Sequence, residues 1–192
     1  MRVWFIRCNG ETAHNEPNTA LFVPGEPPRF PDRKFNYRNA CLEKGFARVG
    51  WPATGDLRDV KWRDRAMSAY GAMMRKHHVR LLEQFFLIDV GDLVVLPSYK
   101  KQYEVHIGVV ISPWRPQSGR TGAAYYYYVD IEAGDWYDTA HRVDVRWARR
   151  DKGRPSLFDI PEIGGIWRRA FGEVKAGCER TVQLARDSGL IR

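Results

Sequence analysis

Tryptophan, tyrosine, arginine and lysine are the residues of this sequence whose types and spacing point most directly to a chemistry. The chain holds 7 Trp and 9 Tyr, and its 31 Lys and Arg outnumber 23 Asp and Glu, for a formal net charge of +8. Unpaired bases stack on aromatic rings, while phosphates pair with arginine and lysine. A basic surface without a specific partner is the simpler alternative, but the two enrichments together favour a nucleic-acid partner.

Trp51 is the first candidate to meet a base. It stands between Gly50 and Pro52, outside any regular pattern, and therefore either packs into the core or forms a wall of a pocket. Asp56 follows in "TGDL", where its carboxylate would accept a hydrogen bond from the exocyclic amine of a base or would cap the next helix. A second pocket wall is expected on the loops that carry Trp114, Trp136 and Tyr137, although Trp114 would equally serve as a lid over the end of a barrel.

Basic clusters are the candidates for contacts with phosphate. The densest has five Lys or Arg within nine positions after Val145. Each cluster would otherwise be an ordinary solvated surface. The predicted phosphate-binding residues are Arg75, Lys76, Lys100, Lys101, Arg146, Arg149, Arg150 and Lys152.

The sequence predicts no catalytic centre, metal site or cofactor. The 5 His show no HExxH or other metal-ligand spacing, and the 3 Cys lack CxxC spacing. Glu173-x-Lys175, with Asp159 upstream, imitates the metal-binding triplet of restriction nucleases. That triplet requires a strand, whereas this segment has a helical pattern, so we interpret it as coincidence. His141 is interpreted as structural rather than as a general base.

The surrounding pattern predicts an α+β fold, with a small curled sheet or barrel of about five to six strands, two or three flanking helices and a C-terminal helix. "RVWFIR" reads as a strand, and "NYRNACLEKGF" as a helix. Residues 57–86 read as one helix, or two with a break near His77 and His78. Two hairpins follow, one from Leu93–Leu96 and Tyr103–Ile111, the other from "AYYYYVDI" and "HRVDVRWA". Trp4 and Trp147 fall within strands and are predicted to be core.

The tail predicts a helix from Trp167 to Arg186, whose apolar residues would pack on the barrel or bind another protein. We therefore expect a base-reading domain over residues 1–150 and a helical extension over 151–192. No apolar run is long enough to span a bilayer, and the first ten residues do not form a signal peptide, which predicts a cytoplasmic protein.

The order of these motifs resembles a known family. "VWFIR", "VGWPATGDL", "IDVGDLVVLP", "VHIGVV" and "HRVDVRW" follow one another over Arg2 to Arg149. This order is similar to the PUA-like superfamily, in particular to EVE and YTH domains and to the N-terminal reader modules of Mrr-type and McrB-type modification-dependent restriction enzymes.

The resemblance implies a non-catalytic reader that flips a modified base, most readily in DNA, into an aromatic cage. Trp51 would occupy the place of the cage tryptophan, and Ser98 and Tyr99, after "VVLP", would line the pocket. A role in restriction or phage defence would then require a separate nuclease or motor subunit. An RNA-binding PUA-like module and a protein-interaction adaptor are the alternatives.

Overall fold

The computed structural model describes residues 1–7, 37–51, 54–98, 103–111, 124–127, 141–150, 153–168 and 171–192. The predicted α+β class is confirmed: a strongly curled half-barrel sheet carries helices on its faces. The strands are β1 (Val3–Ile6), β2 (Phe46–Val49), β3 (Leu93–Pro97), β4 (Glu104–Val110), β5 (Tyr125–Tyr127), β6 (His141–Trp147), β7 (Phe158–Asp159) and β8 (Phe171–Glu173). The described α-helices are α1 (Tyr37–Lys44), α2 (Trp62–Tyr70), α3 (Lys76–Phe85) and α4 (Cys178–Asp187).

The sheet runs in the order β2-β6-β4-β3-β1-β8. All its pairs are antiparallel except β1 with β3. Both predicted hairpins are confirmed: β3 pairs with β4 over Leu93–Pro97, and β5 pairs with the first half of β6. The second half of β6 pairs with β4, so β6 links the two halves of the curl.

Gly108 on β4 makes this crossing of strands possible. It lies opposite Trp147, and a Cβ atom at this position would stand 2.2 Å from Val145 Cγ1 and 2.7 Å from the Trp147 ring. Because the missing side chain lets the indole lie directly over the strand, Trp147 is buried as predicted, and its Nε1 donates to the carbonyl of Cys41 over 2.8 Å.

Two apolar clusters lie on opposite faces of the sheet. Alternate residues of β1 supply both, with Trp4 facing α1, α2 and α3 and Phe5 facing α4. The helices and the sheet therefore form three layers, and the central strands are buried on both faces. Trp4, predicted to be core, is buried, and its Nε1 donates to Asp92 Oδ2 over 2.8 Å.

Two sequence-based expectations are corrected here. Residues 57–86 contain two helices, but the break lies at 71–75, where Gly71 adopts a φ of 50°. The expected helix from Trp167 to Arg186 is wrong: a 3-10 helix at Pro161–Arg168 and strand β8 come first, and α4 begins only at Cys178.

The segment after residue 150 is part of the sheet. β7 pairs with β4, and β8 pairs with β1, so the extension over 151–192 contributes strands to the sheet as well as a helix on its face. Phe171 and Val174 are buried in different apolar clusters, so the apolar residues do not line one helix for a protein partner. Among the described residues, no helix has the length and apolar character needed to cross a bilayer.

Candidate nucleic-acid interface

A cleft of about 310 Å³ opens between α1, the end of β3 and the start of β4. Residues one turn apart on α1 form one wall, and Pro155 and Leu157 form the opposite wall. Its volume lies at the lower end of ligand pockets, which run from about 300 to 1,000 Å³. The lining residues are Arg38, Asn39, Leu42, Glu43, Ser98, His106, Pro155 and Leu157.

Ser98, predicted to bind a base, lies in this cleft. Its Oγ donates to Glu104 Oε2 over 2.7 Å, and its carbonyl accepts a hydrogen bond from Arg38 Nη1. The first bond joins the end of β3 to the start of β4, and the second fixes α1 over the end of β3. The position after "VVLP" is therefore held between two elements that form the cleft.

The wall formed by residues 153–157 is tied to the end of β6. The backbones of Arg149 and Pro155 form an antiparallel β-bridge, and the Ser156 N–H donates to the Ala148 carbonyl over 2.8 Å. The Ser156 carbonyl accepts a hydrogen bond from His106 Nδ1, also over 2.8 Å. These hydrogen bonds hold this wall against β4 and β6, so the cleft is preformed.

Two predicted phosphate-binding residues, Arg149 and Arg150, lie at the rim of the same cleft. Arg149 Nη2 donates to the Leu42 carbonyl over 3.2 Å, and Arg150 Nη2 donates to the Leu157 carbonyl over 3.1 Å. Both side chains are exposed, and each bonds to one wall of the cleft. The structure therefore brings Ser98 and the densest basic cluster to one end of the sheet.

Arg146 belongs to the same cluster in the sequence but has a different contact. Its Nη2 donates to the Leu190 carbonyl over 2.8 Å, so it holds the C-terminal segment against β6.

Trp51 is in the core, with 9% of its surface exposed. Its ring packs edge-on to Tyr70, with centroids 4.8 Å apart, and lies 4.6 Å from the His78 ring. Its backbone has a φ of 72°, a left-handed conformation that costs a residue with a side chain about 1–2 kcal/mol. Of the two alternatives for Trp51, the structure supports the core position.

Hydrogen bonds fix the Trp51 carbonyl in place. It accepts from the Thr54 N–H over 3.1 Å, from Thr54 Oγ1 over 3.0 Å and from His141 Nε2 over 3.0 Å. Thr54 and His141 are 0% exposed. Trp51 and Thr54 are thus bonded to each other and tied to the first residue of β6.

The His141 ring is fixed in one tautomer. A carbonyl oxygen only accepts hydrogen bonds, so Nε2 carries the proton, and Nδ1 accepts from Tyr125 Oη, 2.9 Å away. Tyr125 Oη in turn accepts from the Leu57 N–H over 3.1 Å. Burial lowers the pKa of His141 to about 4, and burial raises the pKa of Tyr125, so both groups are neutral at physiological pH.

Asp56 neither caps α2 nor faces the cleft by Ser98. Its Oδ1 accepts from the Arg58 N–H over 2.9 Å, which closes a short turn, and its carboxylate pairs with the Arg58 side chain. Burial alone would raise the pKa of Asp56, but the hydrogen bonds and charge of Arg58 outweigh it and lower that pKa. The position before α2 is Lys61, and no side chain there caps the helix.

The predicted base-binding residues are divided between the two ends of β6. His141, at its start, holds Trp51, whereas Arg149 and Arg150 follow its last residue, on the side of Ser98. At about 3.3 Å per residue, β6 alone spans about 20 Å. Trp51 and Ser98 therefore do not form one pocket.

Arg75 and Lys76, also predicted to bind phosphate, are exposed at the start of α3, near the Trp51 end. The Arg75 N–H bonds to His78 Nδ1 over 3.3 Å, and His78 packs on Trp51. The remaining predicted site residues, Tyr99, Lys100, Lys101, Trp114, Trp136, Tyr137 and Lys152, lie outside the described residues.

Arg38 and His106 line the cleft but were missed by sequence reasoning. A signal for His106 was present: in "VHIGVV" its neighbours Val105 and Ile107 face the cluster beneath α4, so a polar residue between them faces the other way. Arg38 lies in a helix with no distinctive motif, and only the tertiary contact with Ser98 identifies it.

Glu173 lies on strand β8 and not on the predicted helix. Asp159 lies on β7, and strands β1, β3 and β4 separate β7 from β8 in the sheet order. Within the part of the chain that the structure describes, no three His, Cys, Asp or Glu residues are grouped to hold a metal ion.

Comparison with known proteins identifies the family. No curated protein and no solved structure matches the chain. The family model described as "Domain of unknown function (DUF8426)" matches residues 32–157, a range that includes α1, β2 to β6 and every described residue of the cleft. The chain belongs to this DUF8426 family.

Proposed function

We propose that the protein binds nucleic acid and reads a single base in the cleft beside Ser98, with modified DNA as the favoured target. The observation that carries this proposal is the position of Arg149 and Arg150, which bond to the two walls of a preformed cleft large enough for a base. Phosphates would pair with the exposed guanidinium groups while a base turned out of its strand enters between α1 and residues 155–157.

The cleft offers the contacts that a flat heterocycle needs. Leu42 and Leu157 supply apolar surface, and the planar side chains of Arg38 and His106 are suited to stacking and to hydrogen bonds with a base edge. Trp51 supports the fold in this proposal, because its ring is covered by Tyr70 and His78. Modified DNA is favoured over RNA on the motif order alone, so both belong in the first experiment.

Fluorescence anisotropy with short oligonucleotides tests the proposal. DNA and RNA would be compared without modification and with N6-methyladenine, 5-methylcytosine or 5-hydroxymethylcytosine, at two salt concentrations. A tenfold or greater preference for one modified base supports a reader. Equal, salt-sensitive binding to every oligonucleotide contradicts base reading and leaves a basic surface, and no binding contradicts the whole proposal.

Two variants of equal charge locate the phosphate contact. Arg150→Ala removes a cation at the cleft rim, and we expect weaker binding with a slope of log K against log salt reduced by about 1. Arg63→Ala is the matched control, because Arg63 is an exposed arginine of α2 that pairs with Glu83. If Arg63→Ala lowers affinity as much as Arg150→Ala, the phosphate contact is not at the cleft.

A further inference from the structure

His106 lines the cleft and carries an unused hydrogen-bond acceptor. The residue is 8% exposed, and its Nδ1 lies 2.8 Å from the Ser156 carbonyl. Because that carbonyl only accepts, Nδ1 carries the proton and Nε2 bears a lone pair. Burial lowers the pKa of His106, so the ring remains in this neutral form.

Among the described residues, Nε2 of His106 has no hydrogen-bond partner. An acceptor atom without a protein partner, on a residue that lines a cleft, is available to a ligand. Ser156 cannot move away from Nδ1 easily, because its N–H also bonds to the Ala148 carbonyl. The ring is therefore held in place, and its second nitrogen remains an acceptor for a ligand.

The other polar groups of the cleft complement this acceptor. The guanidinium of Arg38 carries only N–H donors, lies close enough to His106 for its charge to act on the ring, and is positioned by its bond to Ser98. An acceptor beside donors matches the edge of a base that has an amino group, which donates, next to a ring nitrogen, which accepts. On the Watson–Crick edge, cytosine and adenine have this pattern; guanine places a ring N–H beside its amino group there, and thymine and uracil have carbonyls beside a ring N–H.

We infer that the cleft accepts a base of the cytosine and adenine class, whose exocyclic amino group donates to Nε2 of His106. This inference rests on the proposed function and specifies the base it reads. It is compatible with methylation, since N6-methyladenine keeps one amino hydrogen and 5-methylcytosine keeps both.

Oligonucleotides that lack only the amino group provide the test. One single-stranded DNA would carry cytosine or 2-pyrimidinone at a single central position, and a second would carry adenine or purine. We expect the wild-type protein to bind the amino form of one pair about tenfold more tightly than its deamino analogue, and the pair that shows the difference identifies the base.

His106→Asn distinguishes the role of Nε2 from that of Nδ1. The asparagine amide places a donor near the position of Nδ1, where it can still bond to the Ser156 carbonyl, but has nothing at the position of Nε2. We expect it to bind the amino and deamino oligonucleotides equally, at the weaker affinity. His77→Asn, the same substitution at an exposed histidine of α3 outside the cleft, is the control and should keep the wild-type preference.

A measurement on the wild-type protein covers the case in which His106→Asn fails to fold. Nitrogen-15 resonances of the imidazole should show a protonated Nδ1 and a bare Nε2, and the Nε2 resonance should shift with the amino oligonucleotide but not with its deamino analogue. No amino preference in the wild type, a preference kept in His106→Asn, or an unshifted Nε2 would overturn the inference while leaving nucleic-acid binding intact. Failure to bind any oligonucleotide would overturn both.

Discussion

Acidification should destabilise this protein well above the pH at which carboxylates titrate, and His141 should be the main reason. In the folded state the pKa of its buried ring is lowered to about 4, whereas an exposed histidine has a pKa near 6.5. The unfolded chain therefore binds the proton more readily. The contribution of His141 to stability is complete above pH 6.5 and decreases as the pH falls towards 4.

The two pKa values set the size of the effect. Each pKa unit corresponds to about 1.36 kcal/mol, so the full loss below pH 4 is about 3.4 kcal/mol. Between pH 7.5 and 5.5 the same two values give a loss of about 1.3 kcal/mol in the free energy of unfolding. His106 adds to this loss, because burial lowers its pKa as well. Asp56 does not contribute between pH 7.5 and 5.5, because its pKa is lowered from 3.8 on folding and its carboxylate is ionised in both states over this range.

The assay is urea unfolding of the wild type and of His141→Gln at pH 7.5, 6.5 and 5.5. Glutamine keeps an N–H donor for the Trp51 carbonyl but removes the acceptor for Tyr125 Oη. At pH 7.5 we expect the variant to be less stable by about 1–3 kcal/mol, the cost of a buried group without its partner. Its stability should then change with pH by about 1.3 kcal/mol less than that of the wild type between pH 7.5 and 5.5.

Equal pH dependence in both proteins would refute this reasoning, since it would mean that His141 does not titrate differently in the folded and unfolded states. A wild type whose stability is constant from pH 7.5 to 5.5 would refute it as well. Measurement at each pH of the denaturant dependence, the m-value, shows whether both proteins unfold in one step, which the comparison of free energies requires.

Two further predictions concern packing and surface charge. Gly108→Ala should lower the free energy of unfolding by about 1–3 kcal/mol, because its Cβ would collide with Val145 and Trp147; thermal unfolding measures this, and an unchanged midpoint would contradict the close approach. Glu83→Gln should cost less than about 1 kcal/mol, because its ion pair with Arg63 is largely exposed, and the same measurement at high salt should show no difference from the wild type.

Local patterns predicted the sheet well. Alternation and β-branched content identified β1, β3, β4 and β6, and the succession of strand patterns along the chain predicted the two hairpins. These signals are local, because a hairpin is formed by neighbours in the sequence. Alternation does not show what covers each face of a strand: Arg142 and Asp144 lie on the face of β6 opposite Val143 and Val145, and both are buried. The guanidinium of Arg142 lies 4.5 Å from the Phe46 ring, and Asp144 accepts from Tyr126 Oη over 2.6 Å, and both contacts come from neighbouring strands.

The tail shows why helical periodicity can mislead. Phe171 and Val174 are three residues apart, which suits a helix, but they lie in a strand and just beyond it and face opposite clusters. Pairing with β1, which places Phe171 opposite Ile6, makes this segment a strand. That partner is 165 residues away in the sequence, so no local pattern could reveal it.

The candidate site was predictable only in part, because its residues come from distant segments. Ser98, Arg149 and Arg150 were identified from a motif and a charge cluster, and the fold brings them together. Trp51 was singled out because it is an aromatic residue outside the regular pattern, but such a residue either packs in the core or forms a pocket wall. Here His141 and Thr54 bond to the Trp51 carbonyl, and this network depends on the start of β6 lying beside residue 51.

The contrast between the two ends of β6 indicates where binding should be sought. At the Trp51 end, the polar atoms of the Thr54, Tyr125 and His141 side chains bond to one another or to backbone, so a ligand would have to displace an existing bond. At the Ser98 end, the Nε2 atom of His106 has no partner among the described residues, a cleft lies beside it, and cations stand at the rim. Substitutions at the first end should therefore change stability more than affinity, and substitutions at the second end should change affinity more than stability. A variant such as His141→Gln that weakened oligonucleotide binding without loss of stability would contradict this division.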